Sequence, residues 1–263
     1  MTERSAAIPR QKGLAAVNGI ELYYEIYGEG KPLVLLHGGG STIDTSFGRV
    51  IPELARNRCV VGVELQAHGR SGDRDAPLSF EQDADDVAAL LKTLQISRAD
   101  IWGFSNGGTT ALQMAIRHPE QTGKIVVASA LAKRSGTPAA FWDFMKQATL
   151  EHMPRVYQET YLRVAPHPEK LQVMHDKCAQ RMVHFRDIPD SDLQSIQSPT
   201  LIVMADQDVA TPEHAVEMHR LIPGSRLAIF PGGHGDYMGE ITTLQPGKAP
   251  ALVILPVLEA FLQ

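Results

Sequence analysis

Residues 103–107, Gly-Phe-Ser-Asn-Gly, have the types and spacing that turn a serine into a nucleophile. They follow an apolar pair at 101–102 and precede a helix-like segment at 106–118, so they predict a sharp turn between a strand and a helix. A serine at the tip of that turn, here Ser105, presents its oxygen to substrate. Glycine is required on both sides because a β-carbon would clash with the returning backbone. The N–H groups that begin the helix would face negative charge beside Ser105.

A serine nucleophile needs a base. Where the serine stands on a sharp turn between a strand and a helix, the base comes later in the chain, in a loop that follows a strand. His234 meets both conditions. It lies in the glycine-rich loop 231–235, directly after a short apolar run at 227–230 that predicts a strand. Most histidines of a protein are ordinary surface residues, but the position of His234 favours a catalytic base. His214 and His219 also follow Ser105, and we interpret both as residues on the surface of a helix at 213–221.

The base in turn needs a carboxylate that orients its ring. Asp206 and Asp208 both follow the predicted strand 201–204, and either could fill this role. The strand at 125–128 is followed by Ser129 and two apolar residues, so no carboxylate stands at that second location. The residues alone therefore leave the acid open between positions 206 and 208.

A reaction at a carbonyl also needs donors for the developing oxyanion. Residues 36–40, Leu-His-Gly-Gly-Gly, follow the first buried strand, and backbone N–H groups in this turn can point at the serine together with the N–H of Asn106. A phosphate-binding loop is the alternative, but the Gly-Lys-Ser/Thr of that motif is absent here. We expect His37 to brace the turn by hydrogen bonds.

The elements that must position these residues alternate along the chain. Continuous apolar runs typical of strands buried on both faces occur at 33–36, 59–63, 101–102, 125–128, 201–204 and 227–230. Helical patterns lie between several of them, at 47–57, 80–94, 106–118, 213–221 and 251–262. Residues 15–27 predict an antiparallel hairpin around an Asn-Gly turn, and residues 1–13 read as a loose tail. The fold class is therefore α/β, a mostly parallel, doubly wound sheet.

The alternation stops at residues 131–197. This segment lacks buried strand runs, is rich in helix formers and large apolar side chains, and is divided by prolines. It predicts a helical cap inserted into a core made of residues 14–130 and 198–263. Some of its apolar residues would form their own core, and a few would face a pocket below.

Composition limits the function classes. The chain has 263 residues, 43% of them hydrophobic, and a net charge of -5, which argues against nucleic-acid binding. Cys59 and Cys178 fit neither a disulfide framework nor a metal motif, so we expect no metal and no cofactor. Residues 1–13 lack the apolar core of a signal peptide, and no run is long enough to span a membrane. These features predict a cytoplasmic protein without a membrane partner, and they leave a homo-oligomer open.

Five motifs in this order resemble the α/β-hydrolase superfamily with a helical cap: the strand with His-Gly-Gly-Gly at 37–40, residues 64–71, residues 103–108, residues 205–208, and Pro-Gly-Gly-His-Gly at 231–235. The resemblance covers nearly all of residues 15–263. It implies Ser105 as nucleophile and His234 as base. The Gly-x-x-Asp turn of the family falls on 205–208, which implies Asp208 as the acid.

The resemblance also implies that Gly39 supplies one oxyanion N–H. The chain departs from the family pattern at Ala205, where glycine is usual, and at Glu64, where aspartate is frequent. Haloalkane dehalogenases and epoxide hydrolases of this fold carry aspartate as nucleophile, so Ser105 separates this chain from them.

These expectations favour a serine hydrolase that cleaves a small or medium ester-like acyl substrate with water through an acyl-enzyme. Enol-lactonases, carbon–carbon bond hydrolases and cofactor-free peroxidation belong to the same fold, so fold alone does not choose among them. A binding protein that keeps the pocket without catalysis is the alternative from another class. Turnover of a generic ester that Ser105→Ala abolishes would separate the two.

Overall fold

One sheet organises the part of the chain that the computed structural model describes, residues 7–250 and 252–263. Its eight strands are β1 (Gln11–Val17), β2 (Ile20–Tyr27), β3 (Lys31–Leu36), β4 (Arg58–Val63), β5 (Ala99–Phe104), β6 (Thr122–Ala128), β7 (Thr200–Ala205) and β8 (Arg226–Phe230). They are ordered β1-β2-β4-β3-β5-β6-β7-β8. Strands β1 and β2 pair antiparallel, as do β2 and β4, and all other neighbours are parallel.

The hairpin at the edge of the sheet begins earlier than expected. Asn18 and Gly19 both have positive φ, 43° and 87°, as the two-residue turn between β1 and β2 requires. The assignment of residues 1–13 to a loose tail is wrong from Gln11 onward, because Gln11 already pairs with Ile26. An edge strand with an exposed outer part needs no apolar alternation, which is why the pattern missed it. Residues 1–6 lie outside the described part of the chain.

Helices cover both faces of the sheet. They are α1 (Ile43–Phe47), α2 (Ile51–Leu54), α3 (Phe80–Thr93), α4 (Asn106–Arg117), α5 (Ala139–Gln147), α6 (Arg155–Val164), α7 (Leu171–Val183), α8 (Asp190–Ser195), α9 (Pro212–Leu221) and α10 (Leu255–Leu262). The single helix expected at 47–57 is wrong. Gly48 caps the end of α1 and Pro52 opens α2, where its missing N–H costs nothing. Helix α10 likewise starts at a proline turn, later than expected, and residue 251 is not described.

Alternate residues of each central strand pack on opposite faces of the sheet. Val34 and Leu36 join one core with α3, α4 and α9, whereas Leu33 and Leu35 join a second core with α1, α2 and α10. All four side chains are fully buried. This double burial explains the continuous apolar runs in the sequence, and it confirms the predicted doubly wound α/β class.

Helices α5 to α8 all fall between β6 and β7, and we call residues 131–197 the insert. Part of the insert packs on itself and on the loop after β4 through a small third core. Its members are Ala67, Leu78, Met153, Tyr161, Leu171 and Met174. The insert is therefore anchored over the carboxyl ends of the strands. The loops that carry the candidate residues begin at these ends.

Candidate active site

Ser105 occupies a strained turn between β5 and α4. Its φ of 55° and ψ of -122° lie in a region that non-glycine residues rarely adopt. A β-carbon on Gly103 would collide with the carbonyl of Gly107, and one on Gly107 would collide with the carbonyl of Leu36. The two glycines therefore let the chain fold back on itself so that Ser105 stands at the tip.

Asp208 and His234 come together at the carboxyl ends of β7 and β8. His234 Nδ1 lies 2.5 Å from Asp208 Oδ1, and the side chain of Asp208 is completely buried whereas that of His234 is partly exposed. This bond leaves Nε2 as the ring nitrogen that is free to face a substrate. Within residues 7–250 and 252–263 no hydrogen bond joins Ser105 Oγ to His234, although both line the same cavity. Such contacts are often loose without substrate and tighten when substrate binds.

The environment of Asp208 keeps it ionised. Burial alone would raise its pKa, but hydrogen bonds from His234, Ser129 and the Ala205 N–H hold the pKa below its ordinary value. The Val209 N–H adds a fourth donor, 2.7 Å from Oδ1. A carboxylate that accepts this many hydrogen bonds is fixed in position and charge, which suits a group that orients an imidazole.

Asp206 has a different role. It is exposed, and its Oδ1 accepts the N–H of Gly232 at 2.9 Å, so it ties the turn after β7 to the loop that carries His234. The structure thus brings position 208 to the histidine and leaves position 206 outside, supporting the loop.

Ser129 and Tyr237 extend the Asp208 site, and the sequence did not single them out. Ser129 Oγ donates to Asp208 Oδ2 and lies 2.6 Å from the Tyr237 hydroxyl. Tyr237 is 1% exposed, and burial raises the pKa of its hydroxyl well above the ordinary value. Tyr237 therefore donates to Ser129, which donates to Asp208. The available signal was the position of Ser129 at the end of β6, next to β7, the strand that Asp208 follows.

The glycine turn after β3 lies against the serine. A β-carbon on Gly38 would come 3.3 Å from Ser105 Cβ, and one on Gly39 would meet the side-chain amide of Asn106. Gly38 N–H donates to Ser46 Oγ at 3.3 Å, and Gly40 N–H donates to His68 Nε2 at 3.0 Å. In the described part of the chain, the Gly39 and Asn106 amides have no such partner. They remain available to an incoming oxygen.

Two buried histidines brace this turn. His37 Nε2 accepts the Leu65 N–H at 3.0 Å, and burial lowers the pKa of His37 well below its ordinary value. His37 is thus a neutral structural residue, as expected. His68 accepts the Gly40 N–H from the other side. Sequence reasoning did not assign His68 any role.

His214 does not lie on a helix surface as expected, whereas His219 does. His214 is only 2% exposed, and its Nε2 accepts the N–H of Ala132 at 3.0 Å. It joins α9 to the start of the insert. The expectation failed because a helix pattern shows which face is apolar but not which polar residue meets a neighbouring loop.

A cavity of about 360 Å³ opens beside Ser105, within the size range of small-molecule sites. Ser105, Asn106 and His234 are among the residues that line it. The insert supplies most of the apolar wall through Phe141, Phe144, Met145, Met153, Tyr157 and Met182. Other large insert residues are buried in the cores instead, among them Trp142, Tyr161, Met174 and Phe185.

Ser105, Asp208 and His234 follow one another along a chain that folds into a mostly parallel sheet. This order matches the serine, carboxylate and histidine order of α/β hydrolases. The family model described as alpha/beta hydrolase fold matches residues 31–177, more than half of the chain, and the chain belongs to that family. This confirms the family and the fold class inferred from the five motifs.

Relatives of known type support a hydrolytic role. The chain is 30% identical over 236 residues to the serine hydrolase BPHL of Homo sapiens, covering 83% of this chain and 78% of that protein. It is 26% identical over 254 residues to the 2-hydroxy-6-oxo-2,4-heptadienoate hydrolase of Pseudomonas putida, covering 88% and 90%. The enol-lactonase of Burkholderia xenovorans LB400 shares the fold, with a TM-score of 0.74, 23% identity, and coverage of 95% and 99%.

No helix among the described residues is long and apolar enough to cross a membrane.

Proposed function

We propose that Ser105, His234 and Asp208 form a catalytic triad that hydrolyses small or medium ester-like acyl substrates. The observation that carries the proposal is the 2.5 Å bond between His234 Nδ1 and the buried Asp208, which leaves Nε2 free at the cavity that Ser105 also lines. This bond selects the tautomer that can accept a proton from serine.

The steps follow from these positions. Ser105 Oγ attacks the carbonyl carbon while His234 Nε2 takes its proton, and the carbonyl electron pair moves onto oxygen. The Gly39 and Asn106 N–H groups stabilise that oxyanion. His234 then protonates the departing alkoxide. Water, activated by the same histidine, hydrolyses the acyl-enzyme and returns the serine.

The insert would act as a cap over a core of residues 14–130 and 198–263. Its apolar side chains form the cavity wall opposite Ser105. An apolar wall displaces water from the acyl group and strengthens each hydrogen bond to the oxyanion.

Carbon–carbon bond hydrolysis and enol-lactone hydrolysis are the nearest alternatives. The Pseudomonas putida relative is named a hydrolase of a 2-hydroxy-6-oxo-dienoate, and the Burkholderia xenovorans structural neighbour is named an enol-lactonase. The lining favours an uncharged substrate. Apart from His234, its side chains are apolar or neutral polar groups with His152 and His175 at the insert side. A dienoate would bring a carboxylate into these surroundings, whereas a neutral ester would not.

A fluorophosphonate probe tests the nucleophile directly. We expect it to label Ser105 and no other serine, because only an activated serine attacks the phosphorus centre. Peptide mapping by mass spectrometry locates the label, and Ser105→Ala should remove both the label and p-nitrophenyl ester turnover. Labelling or turnover that survives in a folded Ser105→Ala variant would mean that the nucleophile is another residue. Absence of both in the unaltered protein would favour a non-catalytic binding protein.

A further inference from the structure

A cysteine lies in the same cavity as Ser105 and takes no part in the proposed triad. Cys178 lies on α7, is partly exposed, and belongs to the residues that line the cavity from the insert side. His68, from the loop after β4, is buried against it, with Nε2 3.1 Å from Cys178 Sγ. A cysteine within hydrogen-bond reach of a histidine is the arrangement that activates thiol nucleophiles.

The hydrogen bonds of His68 set the direction of proton transfer. Its Nδ1 lies 2.8 Å from the Gln66 carbonyl oxygen, so Nδ1 carries a hydrogen. Nε2 is then the basic nitrogen that faces the thiol. After it takes the thiol proton, both ring nitrogens of His68 donate, one to Gln66 and one to the thiolate. The Gly40 N–H, which donates to Nε2 of the neutral ring at 3.0 Å, loses that acceptor and turns to the sulfur, where its hydrogen bond lowers the pKa of the thiol.

The surrounding charges favour the ion pair. Burial would raise the pKa of Cys178, but the charge and hydrogen bond of His68, together with Arg181 and the Gly40 N–H, hold that pKa below its ordinary value. Arg181 lies one helical turn further along α7 and pairs with Asp83 at 2.7 Å. Its Nε and Nη2 are buried and find no acceptor in the described part of the chain.

We propose that Cys178 is a second nucleophile of this cavity and that it adds to small α,β-unsaturated carbonyl compounds. The thiolate sulfur forms a bond to the β-carbon, and the alkene electron pair moves to give an enolate. The enolate carbon takes the proton from His68 Nε2, which restores a neutral histidine. No further reactant is needed, and the product is a thioether inside the cavity.

The cavity selects this class of electrophile. Its wall around Cys178 is formed by apolar or weakly polar side chains such as Met182, Met153 and Ala179, which admit neutral carbon compounds. An adduct on Cys178 fills space that an acyl substrate of Ser105 would occupy. Modification should therefore stop hydrolysis at Ser105 without touching the triad.

The other cysteine provides an internal control. Cys59 is buried at the start of β4, where its sulfur contacts Arg10 Nη2 at 3.6 Å. It lies outside the cavity of Ser105, and among the described residues no histidine contacts it. Treatment of the intact protein with methyl vinyl ketone at pH 7, followed by peptide mapping, compares the two thiols in one experiment. We expect Cys178 to be alkylated at least about tenfold faster than Cys59.

His68→Gln separates activation from simple access. Glutamine can still accept the Gly40 N–H but cannot carry the charge, so alkylation of Cys178 should slow by about tenfold. Equal or faster reaction at Cys59, or an unchanged Cys178 rate in a folded His68→Gln variant, would overturn the proposal. If His68→Gln fails to fold, the ratio between the two cysteines in the unaltered protein decides.

Inhibition is measured against each protein's own untreated rate. The unaltered protein should lose ester hydrolysis in step with the mass increase, whereas Cys178→Ser should keep its own rate after the same treatment. Inhibition that persists in Cys178→Ser would place the reactive group elsewhere and contradict the proposal. The mass readout requires no hydrolase activity, so failure of the triad assignment would be seen separately.

Discussion

At the scale of single residues, the site depends on how one buried carboxylate is held. Asp208 receives hydrogen bonds from His234, from the hydroxyl of Ser129 and from two backbone amides. His234 follows β8 and Ser129 follows β6, whereas both amides belong to the turn after β7 that carries Asp208 itself. Such a carboxylate cannot rotate or protonate without losing several bonds. The imidazole of His234 is thereby fixed in one tautomer.

Replacing the acid should cost far more than replacing its neighbour. Asp208→Asn offers His234 Nδ1 an amide that favours the wrong tautomer, and we expect kcat to fall by roughly 10⁴. Asp206→Asn keeps an oxygen for the Gly232 N–H, so its loss should stay within about tenfold. Steady-state kinetics on one ester with both variants measures the difference. A larger loss of kcat in Asp206→Asn would show that Asp206, and not Asp208, orients His234.

Ser129 should have a smaller effect on activity than Asp208, because it only helps to hold the Asp208 carboxylate. Ser129→Ala removes one donor of four from Asp208, and we expect kcat/KM to fall by about tenfold. Tyr237→Phe is the matched control, because it removes the hydroxyl behind Ser129 and leaves the Ser129–Asp208 bond in place. Its effect on kcat/KM should be smaller. A larger effect of Tyr237→Phe would mean that the hydroxyl chain does not act through Ser129.

At the scale of elements, the loop after β4 carries a second buried carboxylate in a less favourable setting. Glu64 is fully buried and accepts from the N–H and guanidinium of Arg70, both at 2.6 Å. Burial nevertheless raises the pKa of Glu64 to about 7, against the opposing effect of Arg70. This loop also carries His68, so its stability bears on the glycine turn beside Ser105.

The raised pKa makes stability fall as pH rises. The folded protein binds a proton at Glu64 more tightly than the unfolded chain does, so the contribution is complete below about pH 4.5 and is lost through about pH 7. Its size is of the order of 3 kcal/mol. Glu64→Gln should flatten the free energy of unfolding between pH 5 and 8, as measured by urea denaturation. An equal slope in both proteins would show that Glu64 is ionised throughout this range.

At the scale of the whole molecule, the insert and the loops at the end of the sheet together form a compact cavity. Large apolar residues are exposed singly on the insert, Phe144 on α5, Leu162 on α6 and Val173 on α7. Within the described residues they do not line up on one helix as a lipid-binding face would. The size and shape of the cavity should therefore limit the acyl chain.

Chain length tests this limit. We expect kcat/KM on p-nitrophenyl esters from acetate to palmitate, each below its aggregation limit, to be highest for short acyl chains. A longer chain would have to displace the apolar wall supplied by the insert. Highest activity on palmitate, with a jump when micelles form, would mean that the insert opens as a lipase lid.

The sequence by itself determined the elements whose signals are local. The sharp turn at Ser105, the glycine loop at His234 and the buried strands can each be predicted from a few adjacent residues. A sharp turn or a strand buried on both faces restricts the residue types within it. The resemblance added Asp208 and Gly39. In the structure Asp208 is hydrogen-bonded to His234, and the Gly39 amide has no partner among the described residues.

Only the tertiary structure decided the contacts between distant segments. Ser129 and Asp208 are 79 residues apart, Cys178 and His68 are 110 apart, and His214 is 82 from Ala132. Such pairs leave no periodic signal, because they depend on how the sheet order and the insert bring separate loops to one edge. The residues that can act were visible along the chain, but their partners were set by packing.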